Sequence, residues 1–131
     1  MKKVFTLKNG KELKLRLTSG ECIEIENATK KSILNYIQEE SMTMMCTLLR
    51  YMIKEVNGEK PNNFSFKNAQ DLFDELVDDG MTLKQILMDV IYETLVESGF
   101  LEREDWEEMK TAQTKASKRV QKMAVEKLNE I

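Results

Sequence analysis

The sequence predicts an α+β fold, mostly α: an N-terminal β-hairpin followed by a bundle of about four to five helices, the last one long. Three observations predict it. Large apolar residues alternate around Asn9-Gly10 near the start of the chain. From residue 41 onward they recur instead at i, i+3, i+4 and i+7. The 131 residues hold only five glycines and one proline, too few for a turn-dense β-sandwich. A chain of this length buries roughly two-thirds of its unfolded surface, enough for one core. The expected organisation is a hairpin-plus-helix domain over 1–101 and a C-terminal helix over 102–131, an assembly or partner-binding arm.

In the hairpin, Phe5 and Leu7 face Leu13, Leu15 and Leu17, with Lys14 and Arg16 between the latter. A two-residue loop would pair Leu13 with Thr6 and send Phe5 to the opposite face. A three-residue loop, Lys8-Asn9-Gly10 with a left-handed Gly10, pairs Phe5 with Leu13 and collects all five large side chains on one face. The second register is expected. It leaves a Lys- and Arg-rich outer face that discourages edge pairing.

Thr18-Ser19-Gly20-Glu21 has the form of a capping box. The following Cys22-Ile23-Glu24-Ile25-Glu26 alternates like a strand, but the cap and Ala28 favour a helix over 19–28. Ser32 to Ile37 reads as a short helical piece carrying Ile33, Leu34 and Ile37. A longer helix is expected from Ser41 to about Val56, with Met42, Met45, Cys46, Leu49, Met52, Ile53 and Val56 inward and Asn57-Gly58 ending it. A loop over 58–67 contains Pro61. The next helix, capped by Asn68, turns Ala69, Leu72, Phe73, Leu76 and Val77 inward and stops at Gly80.

Thr82 and Gln85 form another capping box. The helix they open is apolar over most of its circumference: Leu83, Ile86, Leu87, Val90, Ile91 and Leu95, and also Met88, Tyr92 and Val96. It is either the central helix or one covered by a partner. Ser98-Gly99 closes it. From Glu102 to Ile131 there is neither Pro nor Gly, so one long helix is expected, with acidic residues at its start. Its apolar stripe (Trp106, Met109, Ala112, Ala116, Val120, Met123, Leu128) is thin. It packs across the domain by its first half or against another chain.

The chemistry this composition excludes is as informative. There is no histidine, which removes the commonest neutral-pH general base and every His-ligated metal site. Cys22 and Cys46 match no metal spacing and sit among apolar neighbours, as buried thiols do. Asp71, Asp74, Glu75, Asp78 and Asp79 read as the solvated face of a helix, and no calcium-loop spacing occurs. No glycine falls in a phosphate-loop pattern. No cofactor, metal or catalytic residue is therefore expected.

Lys8, Lys11 and Glu12 interrupt any signal-like apolar run, and no stretch approaches a bilayer span, so no membrane association and a reducing cytoplasm are expected. Lysine and arginine number 20 against 23 acidic residues, a net charge of −3. The basic run Lys110–Lys122 lacks interleaved aromatics, so nucleic acid is not expected. A helical regulatory adaptor or nucleic-acid-associated domain using that basic helix is the alternative reading.

Nine methionines are the compositional oddity. Met usually fills cores, yet Met-rich faces also suit partner surfaces. Met44 lies off the inward ladder and is a contact candidate. Met88, Tyr92 and Val96, on the over-apolar helix, and Trp106, Val120 and Met123, on the last stripe, complete the candidate partner-binding set. That surplus of apolar surface also predicts a homo-oligomer.

The order of elements resembles one known family. Lys8-Asn9-Gly10-Lys11-Glu12-Leu13-Lys14-Leu15-Arg16-Leu17-Thr18 runs into Ile23-Glu24-Ile25-Glu26. Asp71-Leu72-Phe73-Asp74-Glu75-Leu76-Val77-Asp78-Asp79-Gly80 follows, and then a helix closing on Glu97-Ser98-Gly99-Phe100. Over roughly residues 4–101 this resembles the tail assembly chaperones of long-tailed phages and prophages of Gram-positive bacteria. One departure is Ala28-Thr29-Lys30-Lys31, where such chaperones often carry a Leu-Gly-Lys turn. The resemblance implies a non-enzymatic protein of the bacterial host cytoplasm. It would bind the tape-measure protein, keep that chain soluble and help recruit tail-tube subunits.

Overall fold

The computed structural model describes residues 3–105 and 107. The chain divides into two compact units, Met1–Phe100 and Leu101–Ile131. Of the second, residues 101–105 and 107 are described, with helix at 103–105. The long helix expected over 102–131 otherwise lies outside the described residues.

The architecture of the first unit is α+β and mostly helical. Strands β1 (Lys3–Thr6) and β2 (Glu12–Leu15) form the hairpin in the expected register, with Phe5 opposite Leu13. The loop sets that register. Leu7 N donates to Lys11 O and Gly10 N to Leu7 O, both at 2.9 Å. Gly10 takes φ +91°, a conformation costly for a side-chain-bearing residue. Leu7, Leu13, Leu15 and Leu17 are thereby buried, and Phe5 half-buried.

Helix α1 (Ser19–Thr29) begins at the expected box: Thr18 Oγ1 accepts from Glu21 N, and Glu21 Oε1 accepts from Thr18 N at 3.0 Å. The strand-like alternation of the segment has a simple cause, because only Cys22 and Ile25 turn inward while Ile23 is 56% exposed. In α2 (Ile33–Gln38) Tyr36 and Ile37 are buried, and Leu34, expected among the apolar anchors, is exposed.

Helix α3 spans Met42–Met52, shorter than expected. Its predicted last turn is instead a third strand, β3 (Ile53–Val56), antiparallel to β2 with Leu13 opposite Val56 and Leu15 opposite Ile53. The sheet order is β1-β2-β3. Backbone hydrogen bonding to β2 outweighs one further helical turn here, and β-branched Ile53 and Val56 suit the pleat. Asn57-Gly58, expected as a helix stop, is a two-residue turn with φ +51° and +81°. Val56 N and Glu59 N exchange hydrogen bonds with the opposite carbonyls across it, the primed geometry that Asn-Gly favours.

Helix α4 (Phe66–Asp78) starts two residues earlier than its expected cap. Ser65 is the N-cap, and Asn68, the third residue of the helix, accepts from Ser65 N at 2.9 Å. Ala69, Leu72, Phe73 and Leu76 are buried as expected, but Val77 is 46% exposed. Gly80, at φ +101°, ends the helix with paired bonds, Gly80 N to Val77 O and Met81 N to Leu76 O.

Helix α5 (Leu83–Gln85), a π-helical segment (Ile86–Tyr92) and α6 (Glu93–Glu97) then follow without a break. Ile86, Leu87, Met88, Val90, Ile91, Tyr92, Thr94 and Leu95 are all buried in this unit. Of the two readings offered by its all-round apolarity, it is the central helix. Seven consecutive residues in π geometry widen the helix, which presents more of its circumference to surrounding elements. The buried Thr94 hydroxyl is satisfied within the helix by Val90 O at 2.6 Å. Leu17 N donates to Ser98 Oγ at 3.0 Å, tying the end of the hairpin to the end of α6.

Candidate partner-binding groove

Helices α3 and α4 pack against each other and leave an open groove of about 400 Å³ between them. On α3, Met42 and Thr43 lie one turn before Cys46 and line one wall with it; on α4, Phe66, Gln70, Phe73 and Asp74 line the other with Lys67. Capping fixes where both walls begin. Ser41 Oγ accepts from Met44 N at 3.1 Å, and Ser65 Oγ from Asn68 N at 3.1 Å. Met42 is 48% exposed, while Phe73 and Cys46 are buried and form the floor. Val77, one turn beyond Phe73 on α4, is 46% exposed.

The charges are on the α4 side. Lys67 donates to Asp71 Oδ1 at 2.9 Å, and this bond holds the exposed lysine above its usual pKa. The Cys46 thiol is pushed up, first by burial and then by the nearby Asp74 carboxylate. A thiol held neutral in this way is a packing group and a poor nucleophile. Other acids of α4 serve the fold: Lys11 Nζ pairs with Glu75 at 2.9 Å, and Asp79 accepts from Lys8 N at 3.0 Å.

A second depression, about 360 Å³, is lined by Thr18, Glu21, Ile53, Lys54, Lys60, Pro61 and Phe64. Its Lys54 ammonium is already paired with Glu21 at 2.7 Å, which leaves Lys60 as the net charge of the lining. Among the described residues no group of three or more His, Cys, Asp or Glu side chains could hold a metal ion. Among them too, no helix is long and apolar enough to cross a membrane.

The sequence candidates lie elsewhere. Met44 is 0% exposed, because α3 is buried on both sides of its expected ladder, with Leu48 inward as well. Met88 and Tyr92 are inside the core and Val96 is half-buried beside it. Trp106, Val120 and Met123 lie outside the described residues, as does the run Lys110–Lys122. The groove residues were read as inward (Met42, Cys46, Phe73) or not singled out (Phe66, Gln70). The available signal was the spacing Phe66, Gln70, Phe73, a second stripe at the edge of the inward arc of α4. No family model, curated protein or solved structure matches this chain.

Proposed function

We propose that this protein is a non-enzymatic phage tail assembly chaperone of the bacterial cytoplasm. It binds the tape-measure protein, keeps it soluble and helps recruit tail-tube subunits. The observation that carries the reading is the α3–α4 groove, apolar along its Cys46–Phe73 floor, uncharged on the α3 wall and open to solvent. Such a groove suits an amphipathic helix better than a small substrate, since it is open and shallow and its one thiol is held neutral by burial and the Asp74 carboxylate. The resemblance over residues 4–101 supplies the identity of the partner. Self-association is part of the proposal. With the 86–95 stretch covered by its own unit, it rests on the sequence stripe Trp106 to Leu128.

Co-expression with the tape-measure protein encoded in the same tail-gene cluster tests the reading. The tape-measure protein should move to the soluble fraction and co-purify. An equally insoluble partner with nothing co-purifying overturns it.

A further inference from the structure

The groove between α3 and α4 is charged on its α4 side, where Lys67 and Asp74 line it. Lys67, Asp71, Asp74 and Asp78 recur at three- and four-residue spacing and so occupy one flank of α4. Lys67 is committed to Asp71. Among the described residues neither Asp74 nor Asp78 forms an ion pair. One lysine against three aspartates leaves this flank at −2. The facing wall of Met42, Thr43 and Cys46 carries no charge, and Met42 stands about half exposed on its rim.

We propose that the groove docks an amphipathic helix of a partner protein whose flank facing α4 is basic. Its apolar face would insert large side chains between Met42 and Phe73. The cavity, about 400 Å³, is at the low end of the roughly 300–1,000 Å³ of ligand pockets, so it takes a few anchors of a helix and leaves the helix itself on the rims. Lysines or arginines on one side of that helix then lie over Asp74 and Asp78. Desolvating those carboxylates under an acidic or neutral flank would cost binding energy, and under a basic one it does not. The inference rests on the reading that a helical partner occupies this groove, and adds the chemistry of that partner.

Two labelled synthetic amphipathic peptides test it by fluorescence anisotropy against the full chain. Both carry Leu and Phe at i, i+3, i+4 and i+7; one has a lysine flank and the other a glutamate flank. The lysine peptide should bind about tenfold more tightly at low salt, with the gap narrowing as salt rises to about 0.5 M. Asp74→Lys with Asp78→Lys should reverse the preference, and Gln70→Trp, filling the groove, should abolish binding of both. These three positions are exposed, and unchanged urea midpoints certify the fold of each variant.

Equal affinity for the two peptides, a preference unmoved by the aspartate changes, or undiminished binding to Gln70→Trp would overturn the proposal. So would a fall in oligomeric mass on Gln70→Trp, which would make a second copy the occupant. The two readings fail separately. A tape-measure protein left insoluble by a chain that binds the peptides as stated removes the chaperone reading alone. A tape-measure protein solubilised equally well by Gln70→Trp removes the groove assignment alone.

Discussion

Tyr92 Oη donates to Glu40 Oε1 at 2.9 Å, joining the π-helical segment to a turn residue whose φ is +52°. Tyr92 is 1% exposed and Glu40 is exposed, so the bond links core to surface. Tyr92→Phe keeps the packing and removes the bond, and should cost about 1 kcal/mol in urea denaturation. Tyr92→Ala should cost about 3–5 kcal/mol, as large aromatic truncations do.

The same phenol predicts an alkaline limit. Burial, then the hydrogen bond to Glu40 and its charge, raise the Tyr92 pKa above its usual value. The neutral form is favoured by folding, so the contribution is whole below about pH 10 and is lost as pH rises toward the folded value. Denaturation midpoints should fall above about pH 10, and less steeply in Tyr92→Phe.

Met42 and Met44 separate partner binding from stability. Met44 is fully buried, and Met44→Ala should cost about 2–5 kcal/mol. Met42 is 48% exposed on the groove rim, so Met42→Ala should change stability by less than about 0.5 kcal/mol while weakening peptide binding. Urea melts and anisotropy on the two variants read the two effects independently.

Asn57 holds two structures together. It takes φ +51° in the turn after β3, its N–H donates to Glu12 O at 2.7 Å, and its Oδ1 accepts from Glu12 N at 2.9 Å. Asn57→Gly retains the backbone and loses the side-chain bond, at about 1 kcal/mol. Asn57→Val adds left-handed strain of roughly 1–2 kcal/mol to that loss. Thermal or chemical denaturation of the pair should rank them in that order.

Cys22 and Cys46 are 6% and 4% exposed, with both thiols raised mainly by burial and further by neighbouring carboxylates. A thiol-specific reagent at neutral pH should modify neither in the native protein and both in denaturant. The native rate should follow the opening equilibrium of the core.

The elements most legible in the sequence were those fixed by short-range rules. The Phe5–Leu13 register followed from loop length and the left-handed Gly10, and the boxes at Thr18 and Thr82 followed from reciprocal side-chain bonding. Illegible segments were those decided by tertiary partners. Met52, Ile53 and Val56 satisfy a helical ladder, and Ile53 and Val56 face Leu15 and Leu13 in the sheet only through a register shift between Lys14 and Leu15. Only the free side of β2, together with Asn57-Gly58 read as a hairpin turn, selects the strand. The groove was hidden for a related reason. Periodicity identifies an apolar arc, but whether the edge of that arc is covered depends on how closely α3 and α4 approach.

The place of β2 in the middle of the sheet has a consequence for synthesis. Its second partner, Ile53–Val56, is separated from it by three helices. An isolated two-stranded hairpin is marginal in water. At translation rates of roughly 5–20 residues per second, the inner edge of β2 therefore waits on the order of seconds for its hydrogen-bonding partner. A nascent chain arrested before Val56 carries buried-type leucines on an unfinished sheet, and the completion of β3 is the event that retires this exposed edge.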